Sequence, residues 1–302
     1  MLRLYSHRGR QMAGSLMVAT AVVLTVSRFA VACEADSSSK ARVEEQFRHT
    51  IPVGRYSRIK VSNMRGTVTV TGQPGADSIR IVAAKALWAS TPEEARAALA
   101  DLNVVITPQG GTLEIGTEHP EEWDSGRAFF FSLFKFRRGD KYRYEVNFTI
   151  TVPASFLVQV ESMTGEVTIT NVRDADVEIV NGGISLAQVE MIRAKAINGS
   201  IEIDSCSMTM DLETINGSVH ACMVHETRSV RIATVNGNII LSVPQTMGAD
   251  LDIHTVNGGV RAEGLPLKNL HQDYGHLRGT LGNGGVPVKL ETINGSITVT
   301  TQ

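Results

Sequence analysis

The side chains that could perform chemistry are scattered through this chain of 302 residues. Its histidines fall at irregular intervals, and no group of His or Cys residues has the spacing of a metal site. There is no nucleophile elbow and no zinc-protease motif. The glycine-rich stretch 279–285 lacks the Lys-Ser/Thr pair of a phosphate loop, and Pro287 stands where the helix should run. We therefore predict no catalytic residue, no metal site and no cofactor.

Carboxylates and bases form an ordered series instead. Five residues before each of six Asn-Gly pairs stands a charged residue, and the sign alternates along the chain: Asp176, Arg193, Asp211, Arg231, Asp252 and Lys289. If successive repeats stack in register, opposite charges lie about 4.8 Å apart and attract. The alternation therefore indicates a solvated structural face. It also predicts that Arg231 lies between Asp211 and Asp252.

The six Asn-Gly pairs mark one repeat, from Leu157 to Thr300. They are Asn181-Gly182, Asn198-Gly199, Asn216-Gly217, Asn236-Gly237, Asn257-Gly258 and Asn294-Gly295. From Gly165 to Gly258 successive glycines stand 17, 17, 18, 20 and 21 residues apart, a spacing typical of solenoids. The last interval, 37 residues, has room for two coils.

Apolar residues alternate on both sides of each Asn-Gly pair, which predicts strand, corner and strand. Four residues before the Asn stand Val177, Ala194, Leu212, Ile232, Ile253 and Leu290. Three residues after it stand Ile184, Ile201, Val219, Ile239, Val260 and Ile297. Asn-Gly between alternating strands also fits an antiparallel hairpin with a type I′ turn. Only the parallel stack gives a reason for the alternating charges, whereas a hairpin meander gives none. We therefore predict a parallel β-solenoid.

The N-terminus has the pattern of a targeting segment. Basic residues precede an apolar run at 16–26 and an Ala-Val-Ala site before Cys33. We expect residues 1–32 to be a signal peptide and residues 33–50 a polar tether. Cleavage by ordinary signal peptidase and acylation of Cys33 as a lipoprotein both fit the sequence. Either outcome places the protein in the periplasm or outer envelope, with membrane attachment only if Cys33 is lipidated.

Cys206 and Cys222 are the other two cysteines, and they lie in adjacent repeats. Export would place them where disulfides persist. The two cysteines could form a disulfide bridge or remain free thiols, and we favour free thiols.

The domain predicted from residue 51 to 302 begins with a degenerate repeat around Asn63 and Gly66. Thr91, Pro92 and Glu94 then form a helix start with a capping box, which predicts a short helix over about 91–102. A strand pair follows across the turn at 109–111. The repeat array itself occupies 157–302.

Residues 119–143 interrupt the pattern with an aromatic and basic insertion. A hydrophobic plug over the solenoid end is one reading, since open ends need covering. An exposed hairpin that contacts membrane, glycan or protein is the other. The residues of this candidate contact surface are Phe129, Phe130, Phe131, Phe134, Phe136, Arg137 and Arg138.

The strand ending in Val152-Pro153, the serial Thr-Ile/Val-Asn-Gly units and the closing stretch 277–297 resemble a bacterial β-strand-repeat family. That family is of unknown function and is described as adhesin-like. The resemblance covers roughly residues 51–302. It implies an exported or envelope-associated β-solenoid, and it offers no catalytic residue to carry over.

The composition is ordinary for a globular chain, with 42% hydrophobic residues and a net charge of −2, so nothing points to nucleic acid. We expect a non-enzymatic exported interaction scaffold whose partner is a protein, a glycan or a membrane surface. A carbohydrate-active solenoid, lyase or glycosidase, is the alternative. Two acids at glycosidase distance in a groove would favour that alternative.

Overall fold

The computed structural model describes residues 41–118, 143–224 and 227–302. Within these ranges the chain forms twenty strands and one helix, which confirms the predicted all-β class with a single helix. In chain order the elements are β1 (Ala41–Pro52), β2 (Arg58–Arg65), β3 (Val68–Gln73), β4 (Ser78–Ala89), α1 (Pro92–Asp101), β5 (Asn103–Gln109), β6 (Thr112–Glu118), β7 (Arg143–Pro153), β8 (Leu157–Thr164), β9 (Val167–Asn181), β10 (Ile184–Asn198), β11 (Ile201–Asn216), β12 (Val219–Met223), β13 (Ser229–Asn236), β14 (Ile239–Val243), β15 (Ala249–Asn257), β16 (Val260–Glu263), β17 (Leu267–Asp273), β18 (His276–Leu281), β19 (Val286–Asn294) and β20 (Ile297–Thr301).

Each coil contributes one strand segment to each of two walls, and the two segments are joined at the corner. β9, β10 and β11 are long strands that supply the second wall of one coil and continue into the first wall of the next. Strands of the first wall precede the corner and strands of the second wall follow it. The coils pair in parallel: Asn181 is level with Asn198, and Asn198 with Asn216. This parallel register confirms the solenoid and excludes the hairpin meander.

The core lies between the walls and consists of the predicted inward positions. The six residues four before each Asn are fully buried, and the six residues three after it are at most 9% exposed. Strands alternate their side chains between two faces, so every second residue points into the interior. These inward positions hold aliphatic residues, which fill the narrow space between the walls.

The coils are not stacked in chain order. The last coil of the chain, β19 with β20, lies between the coil of β13 and β14 and the coil of β15 and β16. Arg231 is therefore level with Lys289, and Lys289 is level with Asp252. The prediction that Arg231 lies between Asp211 and Asp252 is wrong on the Asp252 side.

A hairpin, and not an additional coil, fills the long interval before the last Asn-Gly pair. β17 and β18 pair antiparallel, and β18 continues antiparallel along β15. The hairpin covers the free edge of β15 in the first wall. The chain then returns through β19 to the other side of β15, which explains why the final coil is inserted into the stack.

The predicted degenerate repeat forms the first coil, since β2 stacks on β8 and β3 on β9. β7, β4 and β1 extend the second wall beyond it. The prediction of a polar tether up to residue 50 is wrong from Ala41 onward, because β1 pairs along its whole length with β4. β6, from the β5–β6 hairpin, extends the first wall. The helix α1 begins as predicted: Thr91 Oγ1 accepts a hydrogen bond from the Glu94 amide at 3.2 Å, and Pro92 opens the first turn.

The Asn-Gly corners form a ladder of side-chain amides. Asn216 Nδ2 donates to Asn198 Oδ1 at 2.8 Å, and Asn236 Nδ2 donates to Asn216 Oδ1 at 2.8 Å. The ladder continues through Asn294 to Asn257, in the order of the stack. The glycine of each pair is needed because the coils approach closely: a Cβ on Gly217 would lie 2.0 Å from the Gly199 carbonyl oxygen.

Candidate functional site: a groove beside the Asn-Gly corners

An apolar row runs along the outside of the first wall, one residue before the corner. At this position the strand directs its side chain away from the core, because the preceding residue points inward. Every coil nevertheless places an aliphatic residue or Met there. The row consists, in stack order, of Met64, Met163, Val180, Ile197, Ile215, Val235, Ile293 and Val256.

This apolar row is open to solvent along its length. Ile197, Ile215, Ile293 and Val256 are between 44% and 51% exposed, and the other four are half-buried. These are large apolar side chains held in register about 4.8 Å apart by the parallel sheet. An apolar surface of this regularity is typical of a contact site.

A second row, three residues before the corner, lies beside the apolar row, and half of its residues are acidic. Between β2 and β13 it consists of Ser62, Glu161, Glu178, Lys195, Glu213 and Ala233. The row itself has three carboxylates and one lysine, and Lys60 beside it pairs with Glu161, so the net charge of this wall is negative by one. We call it the acidic row.

The two rows enclose a groove of about 490 Å³ that runs across six coils, from β2 to β13. Its floor consists of the small or buried residues between the rows, such as Ala196 and Thr214. The backbone of the floor is paired within the sheet. The groove therefore offers apolar contacts on one side and carboxylates on the other.

Glu161 occupies the most sheltered acidic position. Its carboxylate accepts hydrogen bonds from Lys60 Nζ and Gln159 Nε2, each at 3.1 Å, and its side chain is only 12% exposed. Burial raises the pKa of Glu161 above its usual value, and the effect exceeds the opposing pull of Lys60. The neighbouring Glu178 carboxylate adds to the increase.

Lys195 is the one base of the acidic row, and it is held by Glu213. Its Nζ lies 3.0 Å from Glu213 Oε2, and this hydrogen bond raises the pKa of Lys195. Glu178, level with both Glu161 and Lys195, forms no salt bridge with another residue of the described ranges. Its exposed carboxylate is available to a partner.

Two buried polar atoms lie under the β2 end of the groove without a hydrogen-bond partner: Asn63 Oδ1 and Ser162 Oγ. In later coils the equivalent hydroxyl, such as that of Thr214, donates to the glycine carbonyl of the adjacent coil. For Ser162 that carbonyl belongs to Gly66, and Asn63 Nδ2 already donates to it at 3.1 Å. The first corner is thus built differently from the rest.

The structure places the other candidate residues away from the groove or outside its description. Cys206 and Cys222 are free thiols. Cys206 is buried in the core, its Sγ lies 3.3 Å from the carbonyl oxygens of Glu190 and Thr209, and burial raises its pKa. Cys33 and the aromatic surface Phe129–Arg138 lie outside the described residues.

Two described histidines pair with carboxylates near the β18 end of the stack, His271 with Asp273 and His276 with Asp252. Asp252 accepts from His276 Nε2 at 3.0 Å and from Arg278 Nε and Nη2 at 3.2 Å. His254 packs edge-on against His276, with ring centroids 6.0 Å apart. Across the described ranges no cluster of His, Cys, Asp and Glu has the arrangement of a metal site. Among the residues that the structure describes, no helix has the length and hydropathy of a membrane span.

The groove was not predicted from the sequence, although the sequence contains a signal for it. Both residues directly before each Asn are apolar or Thr, as in Thr214-Ile215 and Thr234-Val235. Strict alternation would place a polar side chain at the outer of these two positions. The repeated exception is the apolar row.

Comparison with known proteins finds a family and several similar folds. The model of the family described as Toastrack DUF4097 matches residues 147–300. A proposed cell adhesion protein from Clostridium sporogenes is 13% identical, with 86% of this chain and 100% of that chain covered and a TM-score of 0.36. A proposed adhesin from Bacteroides fragilis is 12% identical, with 84% and 96% covered and a TM-score of 0.35. A proposed lipid-binding protein from Parabacteroides distasonis is 11% identical, with 85% and 96% covered and a TM-score of 0.36. No curated protein sequence matches the chain.

Proposed function

The chain belongs to the Toastrack DUF4097 family, and we propose that it is an exported, non-enzymatic interaction protein of the bacterial cell envelope. On this proposal it binds its partner through the groove beside the Asn-Gly corners. The repeated stack then serves as a rigid scaffold that holds a linear contact surface.

One observation carries this proposal: an apolar row lies on the outer face in register through eight coils, with four of its residues exposed and four half-buried. A polar residue at any of these positions would suit a solvated face equally well, as the charged row five residues before the corner demonstrates. Exposed aliphatic side chains gain stability only when a second surface covers them, at about 25 cal/mol per Å² of apolar area.

Site-specific photo-crosslinking in intact cells tests the proposal. A benzoylphenylalanine in place of Ile215 lies in the groove, and one in place of Ile240 lies on the second wall at a comparable exposure, 37% against 45%. We expect a discrete crosslinked product from position 215 and none from position 240. Equal crosslinking at both positions, or none at either, would contradict a groove-specific contact.

Export is part of the proposal and is supported by the charged start, the apolar run and the Ala-Val-Ala site. Intact-mass analysis of the protein from its native membrane fraction tests it. We expect a mature chain without residues 1–32. A diacylglyceryl mass on Cys33 would identify a lipoprotein, an unmodified mature chain would identify a soluble periplasmic form, and a chain starting at Met1 would contradict export.

The aromatic and basic segment is proposed as a second contact surface, on the chemistry of Phe129, Phe130, Phe131, Phe134, Phe136, Arg137 and Arg138. Replacing Phe130, Phe134 and Phe136 by Ser distinguishes contact from capping. Loss of membrane or partner binding with unchanged melting supports a contact surface. A loss of several kcal/mol of stability would instead support a hydrophobic cap.

A carbohydrate-active enzyme is the second candidate function, and one observation favours it. Glu161 and Glu178 are level on adjacent strands, so their side chains leave the same face side by side, and burial raises the pKa of Glu161. Retaining glycosidases hold two carboxyl groups about 5–5.5 Å apart. Release of reducing sugar from envelope polysaccharides, abolished by both Glu161→Gln and Glu178→Gln, would establish this function in place of simple binding.

A further inference from the structure

Resting on the proposed function, we propose that the groove receives an α-helix of a partner protein, with an apolar stripe flanked by Lys and Arg side chains. The helix would lie along the stack, its stripe between the apolar row and the acidic row. Three features of the groove carry this inference: its repeat distance, its charge and its length.

The repeat distance of the apolar row matches a helix better than a strand. Residues of the row recur about every 4.8 Å along the stack. Apolar side chains of an amphipathic helix at i, i+3/i+4 and i+7 recur about every 5.2 Å, from a rise of 1.5 Å per residue. Same-face side chains of an extended strand recur about every 6.7 Å. A helix therefore stays in phase with the row over several coils, whereas a strand loses phase after two or three contacts.

The width of the groove suits a single stripe of side chains. Its two rows are two residues apart on the same strand, about 6.7 Å. A helix with a diameter of about 10 Å cannot enter fully, but its apolar side chains can insert between the rows while the helix lies on the rim. The residues between the rows, including Ala196 and Thr214, leave the necessary space.

The charge of the groove selects the flanking residues of the helix. Glu161, Glu178 and Glu213 lie beside the apolar row. Glu161 is already paired with Lys60 and Glu213 with Lys195, so Glu178 is the carboxylate of this row that no salt bridge within the described ranges occupies. Lys or Arg beside the apolar stripe would meet carboxylates along this wall, and the unpaired Glu178 is the most accessible of them. Fatty acids and acidic lipids are negatively charged, so the acidic row would repel them. Sugars offer little apolar surface to the apolar row.

The length of the groove sets the length of the helix. Six coils span five intervals, about 24 Å, which corresponds to about 16 residues at 1.5 Å per residue. The apolar row continues past the groove to Ile293 and Val256, so a longer helix would find further contacts.

The probe for this proposal is a labelled 18-residue peptide with Leu at i, i+3/i+4 and i+7 spacing and Lys on both sides of the stripe. Fluorescence anisotropy against the full chain measures its affinity. The comparison peptide has the same composition with Leu and Lys in strict alternation, so that only the period differs. We expect the helix-patterned peptide to bind at least tenfold more tightly. It should also show helical circular dichroism when bound.

Two groove variants and two matched controls locate the binding. Ile197→Ser with Ile215→Ser removes apolar surface without adding charge, and should weaken binding at least tenfold. Met191→Ser with Ile240→Ser changes exposed apolar residues elsewhere and should have less than a twofold effect. Glu178→Lys should weaken binding at least fivefold, with a smaller salt dependence, whereas Glu202→Lys on the second wall should not. Urea unfolding of each variant confirms that it is folded.

Equal affinity for the two peptides, or equal affinity of the groove variants and their controls, would overturn the helix. Tighter binding of a peptide with Glu in place of Lys would also overturn it. A gain of more than tenfold when Phe130, Phe134 and Phe136 become Ser would assign the groove to the chain's own aromatic segment. The crosslink at position 215 is a separate measurement: its presence without any preference for the helix pattern would retain the groove as a contact site and reject the helix alone.

Discussion

Arg231 and Lys289 are direct neighbours in the stack, although the sequence pattern places Arg231 beside Asp252. They are level on the parallel strands β13 and β19, so two positive charges occupy adjacent positions about 4.8 Å apart. The row five residues before the corner thus reads Asp176, Arg193, Asp211, Arg231, Lys289 and Asp252 through the stack. The insertion of the last coil breaks the alternation at one point.

This relationship gives different outcomes for one change at two matched positions. Arg193 lies between Asp176 and Asp211, so Arg193→Asp exchanges two attractions for two repulsions. We expect it to cost about 1–3 kcal/mol at low salt, with part recovered in 1 M NaCl. Urea unfolding at both salt concentrations measures the effect.

Arg231→Asp is the matched control, since Arg231 is 56% exposed and Arg193 is 61% exposed. The new aspartate would repel Asp211 but attract Lys289, so the two effects oppose each other. We expect a change under about 0.5 kcal/mol and little dependence on salt. Equal costs for the two variants would contradict the order of coils in the structure.

The amide ladder predicts that an inner asparagine matters more than a terminal one. Asn216 donates one ladder hydrogen bond and accepts another, whereas Asn257 has one ladder bond, donated to Asn294. We expect Asn216→Ala to cost about 1–2 kcal/mol and Asn257→Ala about half of that, at about 0.5–1 kcal/mol per bond. Chemical denaturation of both variants tests the prediction, and a larger loss at Asn257 would be inconsistent with a continuous ladder.

The close contact of the glycine corners predicts a large steric effect at one position. Gly217→Ala would place a Cβ 2.0 Å from the Gly199 carbonyl oxygen, within a packed backbone that cannot yield easily. We expect a loss of about 3 kcal/mol or more. Gly259→Ala is the control, because a Cβ there would have no neighbour within 4 Å. It should be neutral or slightly stabilising, and a similar loss at both positions would refute the steric explanation.

Asp252 predicts an acid-dependent loss of stability. Hydrogen bonds from Arg278 and then His276 lower the pKa of Asp252 below its usual value near 3.8. The folded state therefore favours the ionised carboxylate, and this contribution is fully present above that usual value. It is lost as the pH falls through the lowered pKa.

Thermal unfolding of the parent and of Asp252→Asn between pH 2.5 and 7 measures this contribution. We expect the variant to be less stable by about 1 kcal/mol at neutral pH, since Asp252 is partly exposed, and the difference to shrink below about pH 4. Asp204→Asn removes a charge at another exposed position and should give a smaller difference with no such trend. A difference that stays constant down to pH 2.5 would contradict the assigned cause.

The sequence by itself determined the coil: its strands, its corners and the residues that point inward. Alternation around each Asn-Gly pair was sufficient for this, because the two faces of a strand meet different surroundings at every second residue. The start of α1 at Thr91 could also be predicted from the sequence, since capping depends on residues only three positions apart.

Only the tertiary structure decided which coils are neighbours. All coils share one alternation of inward residues and one Asn-Gly corner, so the repeat pattern alone does not specify which coils are neighbours. The β17–β18 hairpin resolves this equivalence by covering the outer edge of β15, which leaves the last coil to pair between β13 and β15. The groove likewise exists only once the coils are stacked, because a single Ile before a single Asn becomes a surface when its neighbours stand about 4.8 Å away.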